Sequence, residues 1–140
     1  MSYLIDTNII SEIRKGDRCN SRVSAWYAAL NASDIYLSVL VLGEIRKGIE
    51  RARRQEPLRA GALEAWLSTL ERSFSDRLLP IDRSVADEWG RMTAKRSLAT
   101  VDALLAATAK VNSMTLVTRN SADVADLGAD VFNPFEARRS

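Results

Sequence analysis

Short apolar runs alternate along the chain with longer segments whose apolar residues recur every three or four positions. Tyr3-Leu4-Ile5 is the first run and has the pattern of a buried strand. Asp6-Thr7-Asn8 then supplies turn and N-cap residues, and Ile9, Ile10 and Ile13 fall at helical spacing up to a stop at Lys15-Gly16. A second helix is predicted from about Ser21 to Leu30, with Val23, Trp26, Tyr27 and Leu30 on one face and Trp26 in the core. Ile35 to Val39 is a β-rich run. A helix takes over at Ser38 or Val39, turns Val41, Leu42, Ile45 and Ile49 inward, and is limited by Pro57. The next helix covers about Leu58 to Phe74, with Leu63, Trp66, Leu67 and Leu70 inward.

Leu78 to Ile81 reads as a short strand whose Pro80 marks an edge or a strand end. Asp82 opens a helix over about Ser84 to Arg96, through Val85, Trp89 and Met92. Thr100 is the expected N-cap of a following helix, Val101 to Ala109, so apolar and small that it should lie buried against the sheet. Thr115 to Thr118 is a late strand, and Arg119 to Asp123 leaves it in a short helical turn. Val131-Phe132 is a last short strand, followed by Asn133-Pro134 and a polar tail.

Strands separated by helices predict an α/β fold, with a central, mostly parallel sheet of four to five strands flanked by helices. No repeat, low-complexity segment or linker interrupts residues 1–140, which read as one domain. In such a sheet the carboxyl ends of the strands share one edge, where ligands bind. Asp6 and Asp123 follow strands, Glu44 borders the apolar face of the helix just after the second strand, and Asp102 lies in the first turn of the most apolar helix.

Composition narrows the chemistry. The 140 residues contain no His, which excludes Ser-His and Cys-His nucleophile pairs and any His-ligated metal. The single Cys, Cys19, excludes an internal disulfide and a Cys-rich zinc site. Carboxylate chemistry, Ser/Thr/Tyr with Lys, or a hard metal held by oxygen remains. Net charge is only +2, but Lys15, Lys47, Lys95 and Lys110 are the only lysines among 20 basic residues. Arg forks onto phosphate better than Lys does. The apolar runs are too short to span a bilayer, and the N-terminus lacks a signal pattern, so the expected location is cytoplasmic and not membranous.

Each acid has an ordinary structural role open to it. Asp6 can cap the first helix, Asp102 can complement a helix dipole, Glu44 can be a solvated helix residue, and Asp123 can form a loose capping box with Asn120. Together they point elsewhere. Clustered carboxylates raise one another's pKa, and a fold tolerates them chiefly when a divalent cation compensates. Oxygen-only donors favour Mg²⁺ or Mn²⁺, and the matching chemistry is metal-assisted phosphodiester hydrolysis with Arg residues on the nucleic-acid backbone.

Five ordered stretches carry a resemblance: Leu4 to Ser11, Glu44 to Ile49, Asp102 to Ala109, Leu116 to Asp123, and Asn133-Pro134-Phe135. Together they resemble a PIN-domain ribonuclease toxin of the VapC type, close to the FitB branch. The resemblance implies a three-layer PIN-like fold and a Mg²⁺-dependent endoribonuclease, the toxin of a type II toxin–antitoxin system, with Mn²⁺ as a substitute ion. It implies a catalytic metal pocket of Asp6, Glu44, Asp102 and Asp123. Asp6 and Asp102 would be the principal ligands, and Glu44 would help to hold a metal or orient water. Thr7 would support the pocket through its hydroxyl, and Asn120 stands where some relatives carry an acid. It further implies an RNA substrate, a homodimer, a small VapB/FitA-like antitoxin, and operator DNA bound through the antitoxin complex. The chain departs from many relatives at Leu98-Ala99-Thr100-Val101, where Pro is common, at Asn112-Ser113 in place of His-Gly, and at Val124 in place of Phe.

Two other readings differ in class. One is a PIN-fold component of a DNA-bound regulatory complex with little free nuclease activity. The other is a phosphatase with an Asp nucleophile after strand one, which wants a second Asp where this chain has Asn8.

Overall fold

Strand β1 (Tyr3–Ile5) is the middle of a five-stranded sheet with the order β3-β2-β1-β4-β5, parallel throughout. The computed structural model describes residues 1–136; the polar tail beyond Glu136 lies outside the described residues. Helix α1 (Thr7–Arg14) leaves β1, and α2 (Ser21–Ala28) follows a 3-10 turn. Strand β2 (Ile35–Ser38) runs into α3 (Val39–Gln55), and Pro57 stands at the start of α4 (Pro57–Ser73). Strand β3 (Leu78–Leu79) is an edge strand, as Pro80 anticipates. Helices α5 (Arg83–Lys95) and α6 (Thr100–Val111), strand β4 (Thr115–Val117), the short α7 (Ser121–Val124) and edge strand β5 (Asp130–Phe132) complete it.

The three layers follow from the period-two alternation of the strands. Ile5, Ile35, Leu37 and Val117 face one side, where they meet Ile9, Val23, Trp26, Val41, Ile45, Ile49 and Leu67 from α1 to α4. Leu4 and Leu116 face the other, against Val85, Met92, Leu105, Ala106 and Val124 from α5 to α7. The small residues of α6 let its backbone lie close to the sheet, and Ala103 and Leu105 to Ala109 are buried. Trp26 is buried, edge-on to Tyr3 and tilted against Phe132, so its core role holds. Trp66 stays at the rim, with the Arg14 guanidinium 5.1 Å from its ring centre.

Side-chain caps set most helix starts. Asp6 accepts from Thr7 N (2.6 Å), Asn20 from Arg22 N (2.9 Å), Ser38 from Leu40 N (3.1 Å) and Asp82 from Val85 N (3.0 Å). Thr100 is not the cap of α6. That helix begins one residue earlier than expected, with Ala99 at the cap and no side-chain cap bond. The Asn120–Asp123 capping box is also absent, since no side chain caps α7.

Helix α6 ends in a Schellman turn: Met114 N donates to Ala109 O (2.8 Å) while Ser113 adopts a φ of 55°. Ser113 is the only non-glycine residue with positive φ among the described residues, and it stands where the resemblance puts Gly. A Cβ in this region costs roughly 1 kcal/mol or more, part of which glycine regains as unfolded-state entropy. Ser113→Gly should therefore stabilise the chain by about 0.5–1 kcal/mol, read as a higher urea midpoint at unchanged m-value.

Candidate active site

Strands β2 and β3 lie on one side of β1, and β4 and β5 on the other, so the chain changes direction of winding between β1 and β4. A crevice opens at the carboxyl ends of the strands at such a switch point. Asp6 leaves β1 there and Thr118 leaves β4 there. Backbone pairing carries the two ends together, with Asp6 N donating to Val117 O at 2.9 Å.

Asp6 is 5 % exposed and Thr118 1 %. Thr118 Oγ1 donates to Asp6 Oδ2 at 2.8 Å, while Thr7 N donates to Asp6 Oδ1. Asn8 Nδ2 reaches Asp6 Oδ2 at 3.4 Å, and Asn8 Oδ1 accepts from Arg119 N at 3.2 Å. Asn120 enters through its backbone, N–H to Thr118 Oγ1 at 3.1 Å. Thr7 then links Asp6 to the third helix: its hydroxyl donates to Glu44 Oε1 at 2.5 Å. Thus one buried carboxylate is fixed at both oxygens, and a second is tied to its neighbour.

Asp102 sits in the first turn of α6, half-buried, and shares a cleft of about 210 Å³ with Asp123, Arg96, Ser97, Leu98, Ala99 and Val124. Arg96 fixes the α7 side of this cleft by donating to Asp123 O (2.6 Å) and pairing with Asp126 (2.7 Å).

The four acids act on one another through space. Burial pushes the Asp6 carboxyl up to about 6; its bonds to Thr118 and Thr7 work against this, and Glu44 and Asp102 add repulsion. Burial also raises Asp102, helped by Asp123 and Glu44. No Lys or Arg forms an ion pair with any of the four among the described residues. Elsewhere the chain does pair its buried acids, as Glu12 with Lys15 and Glu88 with Lys110.

The donor set suits a hard divalent cation: oxygen only, negative, partly buried and without an ion-paired Lys or Arg among the described residues. The carboxylates remain spread, and no three of them form a ready-made metal cage among the described residues. Asp6 and Glu44 are joined through Thr7, Asp102 and Asp123 through their cleft, and the two pairs through their charges.

A pH dependence follows. The raised Asp6 means that the folded chain holds more protons than the unfolded chain between pH 3.8 and about 6, so stability falls as pH rises through that window. Glu12, Glu88 and Asp126, held low by Lys15, Lys110 and Arg96, act in the opposite sense but below pH 4.5. With EDTA present, the urea unfolding free energy should drop by about 1 kcal/mol from pH 5 to pH 7, and Asp102 adds to the drop.

Sequence reasoning missed Thr118, Asn8 and Arg96 as parts of this site. Thr118 carries a legible signal, a hydroxyl residue ending the strand that pairs with β1. Arg96 carries none, because its partners lie 27 and 30 residues away in α7 and the loop beyond it.

Similarity to known proteins agrees with this layout. The PIN domain family matches residues 3–127. Toxin FitB of Neisseria gonorrhoeae (strain ATCC 700825 / FA 1090) is 34% identical over 94% of this chain and 97% of its own length. VapC ribonuclease Y4jK of Sinorhizobium fredii (strain NBRC 101917 / NGR234) is 29% identical over 95% of this chain and 97% of its own. Among solved structures, FitAB bound to an IR36 DNA fragment superposes with a TM-score of 0.86 at 31% identity, covering 98% of both chains. With the sheet order, the switch-point acid and these matches in agreement, the chain belongs to the PIN domain family and is of the VapC/FitB toxin type.

Proposed function

We propose that the chain is a Mg²⁺-dependent endoribonuclease, the toxin half of a type II toxin–antitoxin pair. One observation carries the reading furthest. A buried carboxylate at the switch point, Asp6, is oriented by Thr118 and Thr7, repelled by Glu44 and Asp102, and forms no ion pair with a Lys or Arg among the described residues. A structural cap would need none of the other acids, and a buried ion pair would bring its own Lys or Arg. The ribonuclease name of Y4jK and the toxin name of FitB supply the nuclease and toxin halves of the reading.

Asp6 and Asp102 are the principal candidates to hold the cation, with Glu44 and Asp123 completing its surroundings. When bound, such a cation supplies Lewis acidity for the scissile phosphate and lowers the pKa of the attacking water. The chain's own residues do the rest. Thr118 and Thr7 prevent Asp6 from rotating. Glu44, anchored through Oε1 by Thr7, would orient a water or take its proton. In hydrolysis the water oxygen bonds to phosphorus, one P–O ester bond breaks, and a proton goes to the departing alkoxide. Arg96 keeps Asp123 at the cleft by holding its backbone carbonyl.

The test is RNA cleavage by the purified chain, freed of co-purifying protein. Cleavage should require Mg²⁺, stop in EDTA, and return when Mg²⁺ is restored. EDTA-resistant cleavage would overturn the metal-dependent reading.

The DNA-bound FitAB structure favours a second, compatible role: a small antitoxin binds this chain, and the pair binds operator DNA. A duplex carrying the upstream promoter, tested with each component alone and together, distinguishes the roles.

A further inference from the structure

Helix α3 carries Glu44 near its start and a basic surface after it. Lys47, Arg51 and Arg54 line one shallow groove of about 540 Å³ with Glu50 and Gln55. All three cations are exposed, and none makes an ion pair among the described residues. Their neighbours on the same helix are engaged: Arg53 pairs with Glu50 (2.9 Å), and Arg46 pairs with Glu64 (2.7 Å) and Glu50 (3.7 Å). Glu50, the one acid in the groove, is thereby neutralised, and three unpaired positive charges remain.

Helical geometry puts these charges on the same side of α3 as Glu44. At about 100° per residue, Lys47, Arg51 and Arg54 fall within roughly 80° of Glu44 around the axis. At 1.5 Å per residue they stand about 4.5, 10.5 and 15 Å beyond it along the axis. Gly43 and Gly48 flank Glu44, and a Cβ on either would meet nothing within 4 Å. Each costs the helix about 1 kcal/mol relative to Ala, and no close contact with another described element calls for a glycine there. They leave the backbone bare beside Glu44, where a ligand strand would lie closest.

The geometry points to a single-stranded RNA track along α3, with Lys47, Arg51 and Arg54 holding the phosphates of the strand as it leaves the four-acid pocket. The inference rests on the ribonuclease reading for its substrate and on the groove for its path. A second copy of the chain is the poorer occupant, because a two-fold contact here would set the same three cations against one another. A polyanion complements all three.

The test compares the purified chain with a variant carrying Lys47→Gln, Arg51→Gln and Arg54→Gln. A control removes three exposed cations elsewhere, through Arg72→Gln, Arg83→Gln and Arg91→Gln. The probe is a fluorescein-labelled oligouridine 20-mer in EDTA, and binding is measured as salt is varied. The track variant should bind at least about tenfold more weakly at 0.1 M salt, and its log K against log salt slope should fall by about 2, at roughly 0.7 for each phosphate no longer held. The control should shift far less. Equal binding by track variant and wild type, or no RNA binding by wild type, overturns the track. Tighter binding to duplex DNA of the same length with the same three-residue dependence overturns RNA as its occupant. A change of oligomeric state in the track variant, with RNA affinity unmoved, assigns the groove to self-association instead. Cleavage of the same RNA in Mg²⁺ is scored separately: a cleaving wild type with an indifferent track variant sinks only the track, and a track-dependent binder that never cleaves sinks only the nuclease reading.

Discussion

Asp6→Asn should leave a folded chain whose RNA cleavage is at least about 100-fold slower, since it removes a carboxylate proposed to hold a cation whose Lewis acidity is worth several kcal/mol. The expectation comes from where this side chain stands. Asp6 is the most buried of the four acids, lies at the sheet's switch point, and has both oxygens already oriented by Thr7 and Thr118. Asn keeps the shape and one acceptor oxygen but removes the charge that a cation would need. The same substitution removes the burial penalty that pushes the carboxyl up to about 6. The metal-free variant should therefore lose most of the stability drop between pH 5 and 7, and added Mg²⁺ should raise the Tm of the wild type but not that of the variant. A cleavage defect accompanied by a lower metal-free Tm at pH 7 would mean that Asp6 is chiefly a structural cap.

Thr118→Val is the second large effect. Val copies the shape of Thr but not its hydroxyl, and Thr118 is fully packed at the end of β4. The hydroxyl donates to Asp6 Oδ2 and accepts from Asn120 N, so its removal leaves a buried carboxylate oxygen and an N–H short of a partner. That costs about 1–3 kcal/mol. Removing a group that orients a metal ligand typically costs about 10–100-fold in activity or metal affinity. Thr118→Ser restores the hydroxyl and should recover most of the cleavage, with the remaining deficit traceable to packing. If Thr118→Val cleaves RNA at the wild-type rate, this hydroxyl does not orient Asp6 in the reacting enzyme.

The sequence made the fold legible where one physical signal dominates. The short apolar run Tyr3-Leu4-Ile5 and the β-rich Thr115-Leu116-Val117 marked two central strands, and the structure divides their side chains between the two cores. The unbroken small apolar run of α6 announced burial on its own. The start of α6 was less legible, because Thr100 has better capping chemistry than Ala99, yet the helix begins a residue sooner. Caps are local, and the turn that leads into a helix can override them.

The candidate site was legible as residue types and order, less so as contacts. Asp6, Glu44, Asp102 and Asp123 come from four separate stretches, and only the parallel topology gathers them at one end of the sheet. Thr7 bonding Glu44 spans 37 residues, and Thr118 bonding Asp6 spans 112. Contacts of that separation leave no periodic trace in the chain. The groove of Lys47, Arg51 and Arg54 lay hidden for a different reason: α3 carries many basic residues, and only the ion pairs show which of them are spoken for.

The most direct measurement is RNA cleavage at saturating Mg²⁺ by the wild-type chain and by Asp102→Asn, side by side, with the Tm of each recorded. Asp102 shares its cleft with Asp123 and feels Glu44, but it does not cap α6 and makes no ion pair among the described residues. A folded Asp102→Asn chain that no longer cleaves is the expected result, and it would establish that the four acids work as one catalytic pocket. A folded Asp102→Asn chain that cleaves RNA as fast as wild type would contradict that pocket outright.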